Sequence, residues 1–234
     1  MQRLLFVKDE YIELPESWEE VSFKKFLDLS ECDNVDLSAV AVLTGVNKED
    51  WAKSNNVSLY YYCMNELSKW VTKGIVDMNN REVKRLEFLS KNIEFADLAE
   101  QSVAQYEDLK ILLDKYQKLY ESKPFEAMRL YYPLMASIYL QPKVNSEQYN
   151  YEKAQSYVTD IMELPAPVVI GVVNFFLTKF VASRIGISNN VQMASSRWKR
   201  WKQGFQNYIK RLVFRQFLTA WQKGTLRKRI TLKG

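Results

Sequence analysis

Two periods of hydrophobic and polar residues follow one another along the chain, and they predict short strands first and helices afterwards. The apolar run Leu4–Val7 and the mixed run Tyr11–Leu14 flank the polar residues Lys8–Glu10, which is typical of two strands joined in a hairpin. Pro15 ends this extended stretch. After Ser22 the apolar residues recur every three or four positions, and this period predicts amphipathic helices.

Capping residues mark the predicted helix boundaries in the first half of the chain. The first predicted helix follows Ser22, and the second covers about 36–43 and ends at Gly45. A short third helix opens at Asn47, with Asp50 in a capping box. The fourth covers 59–72, with Ser58 as its cap and Gly74 at its end. Residues 75–92 have no clear period, and the segment Arg85–Leu89 fits a strand or a helix equally well.

In the second half of the chain the helical period returns and one segment is much more apolar than the rest. We expect helices over about 96–120, 125–140, 151–162 and 168–184, with a loop over 141–150 that contains Pro142. The segment Val168–Arg184 is apolar nearly all round, and a helix of that kind is buried. It is therefore the predicted central helix.

A short internal similarity suggests that the body, defined here as residues 1–187, contains two related modules over about 1–90 and 91–187. Ile12–Leu14 resembles Ile93–Phe95, and each of these segments precedes a serine-led stretch with an aromatic residue and an Asp-Leu pair. Those stretches are 22–29 and 102–109. A match of this length also arises by chance, so both explanations stay open.

The residue types present exclude most kinds of enzyme. The chain has no histidine, which removes the commonest general base and the commonest metal ligand. Cys32 and Cys63 stand alone, and neither glycine-rich phosphate-binding pattern occurs. We therefore expect no catalytic, cofactor-binding or metal-binding residues and classify the chain as not an enzyme. A histidine-free enzyme that uses carboxylates or lysines is the alternative.

Neither a secretion signal nor a membrane span is predicted. Met1–Val7 begins like the apolar part of a signal, but the charged residues Lys8–Glu10 end it too soon. The best apolar run, Val168–Ala182, is interrupted by Asn174 and Lys179 and is shorter than the roughly 20 residues that cross a bilayer. The two cysteines form no disulfide framework, and a reducing cytoplasm suits them.

Charge is divided sharply along the chain. Residues 164–234 contain fourteen Lys or Arg and no Asp or Glu, a formal charge of +14. Residues 1–163 contain nineteen basic and twenty-eight acidic residues, a formal charge of −9, so the net charge of +5 combines two opposed blocks. An asymmetry of this size indicates an anionic partner, or contact between the basic segment and the body.

The basic arm, defined as residues 188–234, combines these charges with aromatic residues. Ser195 and Ser196 can cap a helix over about 197–223. The apolar stripe of this helix moves round after Val213, so a straight helix would bury two faces. The residues expected to contact the partner are Trp198, Lys199, Arg200, Trp201, Lys202, Lys210, Arg211, Arg215, Arg227, Lys228 and Arg229.

Three interpretations of the basic arm compete. It can dock on the acidic body of the chain. It can bind the phosphate backbone of a nucleic acid, with Trp198 and Trp201 available to stack on bases. It can also lie on a membrane surface as a basic amphipathic helix. The aromatic residues equally suit the centre of a protein interface, so a protein partner overlaps with the first interpretation.

Three stretches together resemble known proteins. They are Ile12–Val21 leading into a helix, then Val40–Val46, and then Ile161–Pro167 running into Gly171–Leu177. Their order over roughly residues 10–185 resembles morphogenesis and virion proteins of tailed bacteriophages, including tail-assembly chaperones. The resemblance implies a small helical protein that binds other virion components during assembly and has no active site. It would work in the cytoplasm of the bacterial host cell or in the virion.

The basic arm departs from what a chaperone of this kind needs. Its charge favours a protein that stays in the particle, near DNA or near an acidic neck, tail or packaged protein. The predicted fold is mainly α, with a small N-terminal β-hairpin, a multi-helix body with one very apolar central helix, and a basic C-terminal helical arm. The predicted function is a non-enzymatic bacteriophage assembly or virion structural protein. The alternative is a nucleic-acid-binding accessory protein that uses the arm.

Overall fold

The computed structural model describes residues 1–7, 10–32, 37–78, 83, 85–95 and 102–185, except for the side chains of 72–78 and 178–185. These residues form strands β1 Gln2–Val7, β2 Glu10–Leu14, β3 Arg85–Phe88 and β4 Lys91–Glu94, and helices α1 Phe23–Ser30, α2 Leu37–Thr44, α3 Lys48–Lys53, α4 Val57–Met78, α5 Val103–Tyr120, α6 Pro124–Asn145, α7 Tyr151–Ser156, α8 Val158–Glu163 and α9 Ala166–Ile185. A short 3-10 helix covers Trp18–Glu20. The prediction of a mainly α fold with an N-terminal β-hairpin is therefore confirmed. The basic arm lies outside the described residues.

The described residues belong to two compact units. The first unit contains residues 1–21 and 28–77, and the second contains 22–27 together with the described residues from 78 onward. The sequence predicted two related modules over about 1–90 and 91–187, followed by an arm over 188–234. These boundaries differ from those of the two units, and the relation between the modules stays a prediction.

In the first unit, β1 and β2 form an antiparallel hairpin whose inner face is buried. Leu4 is the cross-strand partner of Ile12, and the side chains of Phe6, Ile12 and Leu14 are buried. The ring of Phe6 lies edge-on to that of Trp51, with centroids 4.6 Å apart. This contact ties the hairpin to α3, because an edge-to-face ring pair adds to the gain from apolar burial.

A buried hydrogen-bond chain links α3 to α2. The indole N–H of Trp51 donates to the hydroxyl oxygen of Thr44 at 3.2 Å, and that hydroxyl donates to the carbonyl of Val40 at 2.7 Å. Gly45 follows α2 with a φ of 75° and donates its N–H to the Ala41 carbonyl at 2.9 Å. The predicted role of Gly45 at the end of this helix is confirmed, since a left-handed residue favours glycine.

Three predicted details of α3 and α4 are wrong: the capping box at Asn47, the cap at Ser58 and the end of the helix at Gly74. The side chain of Asn47 makes no capping bond to the helix, and its amide instead donates to the Asp50 carboxylate at 3.4 Å. α4 starts before Ser58, because the side-chain oxygen of Asn56 accepts the Leu59 N–H at 3.2 Å. The helix also continues through Gly74, since a glycine inside a helix costs only about 1 kcal/mol relative to alanine.

The second unit also contains an antiparallel hairpin, in which β3 pairs with β4. The ambiguous segment Arg85–Leu89 is therefore mainly a strand. A full capping box opens α5: Ser102 accepts the Gln105 N–H at 3.2 Å, while the Gln105 side chain accepts the Ser102 N–H at 3.0 Å. The amide of Gln105 also donates to the carbonyl of Ile138 at 3.0 Å, which fixes α5 against α6.

The predicted loop over 141–150 is wrong for its first half, because α6 continues through Pro142 to Asn145. A proline inside a helix costs about 3 kcal/mol. Buried contacts offset that cost: Val144 is buried, and the buried Gln141 side chain accepts the N–H of Asn150 at 2.9 Å. The predicted helix over 151–162 is divided into α7 and α8.

The predicted buried central helix is confirmed as α9, within the part whose side chains are described. Its buried side chains include Ala166, Val169, Ile170, Val172, Val173, Phe176 and Leu177. α9 packs against α6, and the half-buried ring of Phe175 lies 6.0 Å from that of Tyr139. Within the described ranges, no helix is both long enough and apolar enough to cross a membrane.

A candidate protein-binding surface

All the partner-contacting residues predicted from the sequence lie in the basic arm, outside the described residues. Whether the arm brings them together therefore stays a prediction. The described residues present a different candidate in the first unit, built from the hairpin and the start of α4.

The outer face of the first hairpin is apolar at its centre. Leu5 and Tyr11 are cross-strand partners, and their side chains are 54% and 53% exposed. Val7, beyond a register shift in β1, is also exposed. The guanidinium carbon of Arg3 lies 4.4 Å from the centroid of the Tyr11 ring, a cation–π contact that holds the ring in place.

The first two turns of α4 run antiparallel along β1. At one end the Asn56 amide donates to the carbonyl of Phe6 at 3.3 Å, and at the other the Tyr62 hydroxyl donates to the Gln2 side-chain oxygen at 3.0 Å. The hairpin and the start of α4, joined by these bonds, each carry exposed apolar or aromatic side chains. We call this set the hairpin–helix surface, and its residues are Leu5, Val7, Tyr11, Val57, Tyr61 and Tyr62.

A row of aromatic rings connects this surface to the core of the first unit. The Trp51 ring, already packed on Phe6, lies 6.3 Å from that of Tyr60. The Tyr60 ring in turn lies 5.4 Å from that of Tyr61, which is 56% exposed. The exposed Tyr61 ring thus rests on the half-buried Tyr60 ring, and an anchored aromatic side chain loses little conformational entropy when a partner binds.

The second hairpin shows that an apolar outer face is not a requirement of this local structure. Its inner face is buried like that of the first. Its outer face is polar, with Glu87 opposite Asn92, and with Arg85 bonded to Glu94 at 2.9 Å. The outer faces of the two hairpins therefore differ in polarity, although both inner faces are buried.

Acidic groups also fix the start of the first hairpin. The terminal amine of Met1 forms ion pairs with Glu16, at 3.0 Å, and with Glu20. The hydrogen bond from this amine, together with one from the Glu16 N–H, lowers the pKa of the Glu20 carboxyl below its ordinary value. The bond to Glu20 in turn raises the pKa of the amine. Both groups are therefore charged near neutral pH.

The first unit carries the acidic excess of the body. Among its described side chains there are ten Asp or Glu and four Lys or Arg, whereas those of the second unit include eleven of each. Glu10 and Glu13 lie on the hairpin itself, beside the apolar centre. The electrostatic field around the hairpin–helix surface therefore favours a basic partner over an acidic one.

One signal in the sequence points to this surface. A strand with one buried face alternates apolar and polar residues, but Leu4–Val7 is apolar throughout. The run fits a strand with both faces covered, while only the inner face is covered in the described structure. The exposure of Tyr61 and Tyr62 has no comparable signal, because α4 is rich in aromatic residues on several sides.

The described side chains contain no group of three or more Cys, Asp or Glu that could hold a metal ion. The chain matches none of the known family models, curated proteins or solved structures with which it was compared. The function is accordingly inferred from the residues of this chain and from the resemblance of its three stretches.

Proposed function

We propose that this chain is a non-enzymatic bacteriophage assembly or virion structural protein that acts through protein–protein contacts. The observation that carries the proposal is the hairpin–helix surface, a set of six exposed apolar or aromatic side chains on the first hairpin and the start of α4. A contiguous apolar patch with a polar rim is typical of a protein-binding site, and aromatic residues dominate the energy of such sites. The bacteriophage context rests on the resemblance of Ile12–Val21, Val40–Val46 and Ile161–Leu177.

The basic arm supplies the second contact in this proposal. With twelve Lys or Arg and no acidic residue over 188–234, it would grip an acidic partner such as a neck, tail or packaged protein, or DNA. The protein would act in the cytoplasm of the host cell and in the virion. It would need no cofactor.

The proposal is tested by capture of the tagged full chain from its source cells, with and without nuclease. We expect other virion proteins to co-purify and to survive nuclease, because protein contacts do not depend on nucleic acid. Partners identified by mass spectrometry would then show which part of the particle the protein serves. Nucleic acid as the sole captured species, removed by nuclease, would contradict the proposal.

The second candidate is a nucleic-acid-binding accessory protein, favoured by the charge of the arm and by Trp198 and Trp201 within it. Each phosphate that the arm neutralises would contribute about −0.9 to the slope of log affinity against log salt concentration. A steep slope for duplex DNA that falls on substitution of Lys199, Arg200 and Lys202 by Gln would support this candidate. A flat slope would exclude it.

A further inference from the structure

The two hairpins of the described structure carry the same residues at the same cross-strand positions. In each hairpin an arginine faces a glutamate, and the leucine after the arginine faces the isoleucine before the glutamate. The pairs are Arg3–Glu13 and Leu4–Ile12 in the first hairpin, and Arg85–Glu94 and Leu86–Ile93 in the second. The two hairpins therefore agree both in sequence and in the register of their strands.

A buried phenylalanine stands two residues after the leucine in each hairpin. These residues are Phe6 and Phe88, and the two isoleucines are buried with them. Each phenylalanine packs edge-on against an aromatic ring from later in the chain. The centroids lie 4.6 Å apart for Phe6 and Trp51, and 5.9 Å apart for Phe88 and Tyr157. The same side chains thus supply the inner face of both hairpins.

The hairpins differ by one residue in length, and the structure shows where the additional residue is accommodated. Residues 3–14 span twelve positions, whereas residues 85–95 span eleven. The register of the first hairpin shifts between Leu5 and Val7, while the pairs of the second follow one another without a shift. Because a β-bulge takes up one additional residue in a strand, a single insertion accounts for the difference.

A serine-capped helix follows each hairpin at nearly the same distance. The capping serine lies ten residues after the hairpin isoleucine in the first case and nine residues after it in the second. The hydroxyl of Ser22 accepts the N–H of Lys25 at 3.3 Å, and that of Ser102 accepts the N–H of Gln105 at 3.2 Å. In both helices the bond therefore runs to the third residue after the serine.

We propose that the two hairpins, each with the serine cap that follows it, are two copies of one duplicated module. The arginine, leucine, phenylalanine, isoleucine, glutamate and serine form its common framework. The outer pair between them has diverged, with Leu5 opposite Tyr11 in the first copy and Glu87 opposite Asn92 in the second. The module accordingly keeps its inner face while its outer pair varies in polarity.

The outer pair also determines what the framework arginine contacts. In the second copy Arg85 bonds to the glutamate opposite it at 2.9 Å. In the first copy the guanidinium carbon of Arg3 lies 4.4 Å from the centroid of the Tyr11 ring. A tyrosine ring attracts a guanidinium group, whereas the second copy has an asparagine at the equivalent position. Loss of the Tyr11 ring should therefore direct Arg3 to Glu13.

The first test shortens the first hairpin of the full chain to the length of the second. Deletion of Val7 should remove the register shift and leave Phe6 at its buried position, because Phe88 holds that position in the shorter hairpin. Deletion of Leu5 is the matched control. It removes one residue from the same strand, but it moves Phe6 to the outer position opposite Tyr11, since a shift of one residue exchanges the faces of a strand.

Thermal unfolding compares the two deletions. We expect the Leu5 deletion to melt at least about 6 °C below the Val7 deletion, because it withdraws the Phe6 ring from the core. The Val7 deletion should unfold cooperatively, as the wild type does. Equal melting temperatures for the two deletions would overturn the inference, as would a Val7 deletion that does not unfold cooperatively.

The second test gives the first copy the asparagine of the second, as Tyr11→Asn, with Tyr11→Phe as the control that keeps a ring. A crystal structure of Tyr11→Asn should show the Arg3 guanidinium within about 3 Å of the Glu13 carboxylate. In Tyr11→Phe the guanidinium should stay over the ring. An Arg3 side chain that stays away from Glu13 in Tyr11→Asn would contradict the equivalence of the two arginines. Neither test depends on what the protein binds.

Discussion

Leu5 and Tyr11 face each other across the first hairpin, on the side that points away from the core. Phe6, which follows Leu5 in β1, points the opposite way. Its ring packs edge-on against that of Trp51, with the ring centroids 4.6 Å apart. One strand therefore carries both a core contact and an exposed apolar contact, in alternating positions. This arrangement allows the role of the exposed face to be tested without loss of the fold.

Two leucines of the hairpin should differ strongly in their effect on stability. Leu14 is buried, so Leu14→Ala should lower the free energy of unfolding by about 2–5 kcal/mol. Leu5→Ala should change it by about 0.5 kcal/mol or less, because the Leu5 side chain is more than half exposed. Urea unfolding of both variants checks the prediction. A large loss of stability from Leu5→Ala would mean that Leu5 belongs to the core.

Gln105 should be the most sensitive glutamine of α5. Its side chain donates to the buried Ile138 carbonyl, so Gln105→Leu leaves that carbonyl without this partner and should cost about 1–3 kcal/mol. Gln117→Leu is the control, since Gln117 is an exposed glutamine of the same helix. Equal melting temperatures for the two variants would show that the link between α5 and α6 contributes nothing.

Stability should fall at alkaline pH because of a buried tyrosine pair. The hydroxyl oxygens of Tyr116 and Tyr132 lie 3.5 Å apart. Burial raises the pKa of Tyr132 from 10.0 to about 12 and raises that of Tyr116 well above 10.0. A raised pKa means that the fold favours the neutral form, so this contribution is complete below pH 10 and is lost as the pH rises towards 12.

The measurement is the free energy of unfolding in urea between pH 9 and pH 11. Each buried tyrosine should contribute a decrease approaching about 1.4 kcal/mol per pH unit above 10. Tyr132→Phe should reduce the slope, while Tyr61→Phe, at an exposed ring, should not. Identical slopes in wild type and Tyr132→Phe would contradict the predicted role of this hydroxyl.

The two cysteines should react at different rates with an alkylating reagent. Burial raises the pKa of the Cys63 thiol to about 11, and the thiolate is the reactive form. Cys32 is only half-buried, so it should be modified first in the native protein. Peptide mass spectrometry after timed quenching checks the order. Equal rates in the native protein would contradict it, whereas equal rates in denaturant are expected.

Local signals in the sequence predicted the structure correctly where an element is fixed by bonds between residues close together in the chain. The hairpin strands, the cap at Ser22 and the left-handed Gly45 were predicted because each depends on residues close in sequence. The end of α6 was not predicted, because Pro142 favours a helix break locally, whereas the helix is held by contacts from outside it, such as the bond from Gln105 to the Ile138 carbonyl. Tertiary contacts override a local preference there.

The candidate surface could be predicted only in part. An uninterrupted apolar run at Leu4–Val7 shows that both faces of a strand are apolar, but not which side is left uncovered. That distinction depends on the position of Trp51 and α4, which are far along the chain. The partner-contacting residues of the basic arm, from Trp198 to Arg229, follow from charge and composition alone and remain predictions.

The central claim is that the hairpin–helix surface binds protein, and the most direct measurement is capture by matched full-chain variants. Tagged wild type, Leu5→Ser with Tyr61→Ser, and Leu130→Ser would be recovered from nuclease-treated source cells and their bound proteins quantified. We predict that the double variant loses bound virion proteins, while Leu130→Ser, at a leucine that is 53% exposed in the second unit, retains them. Equal recovery by all three proteins would contradict the claim.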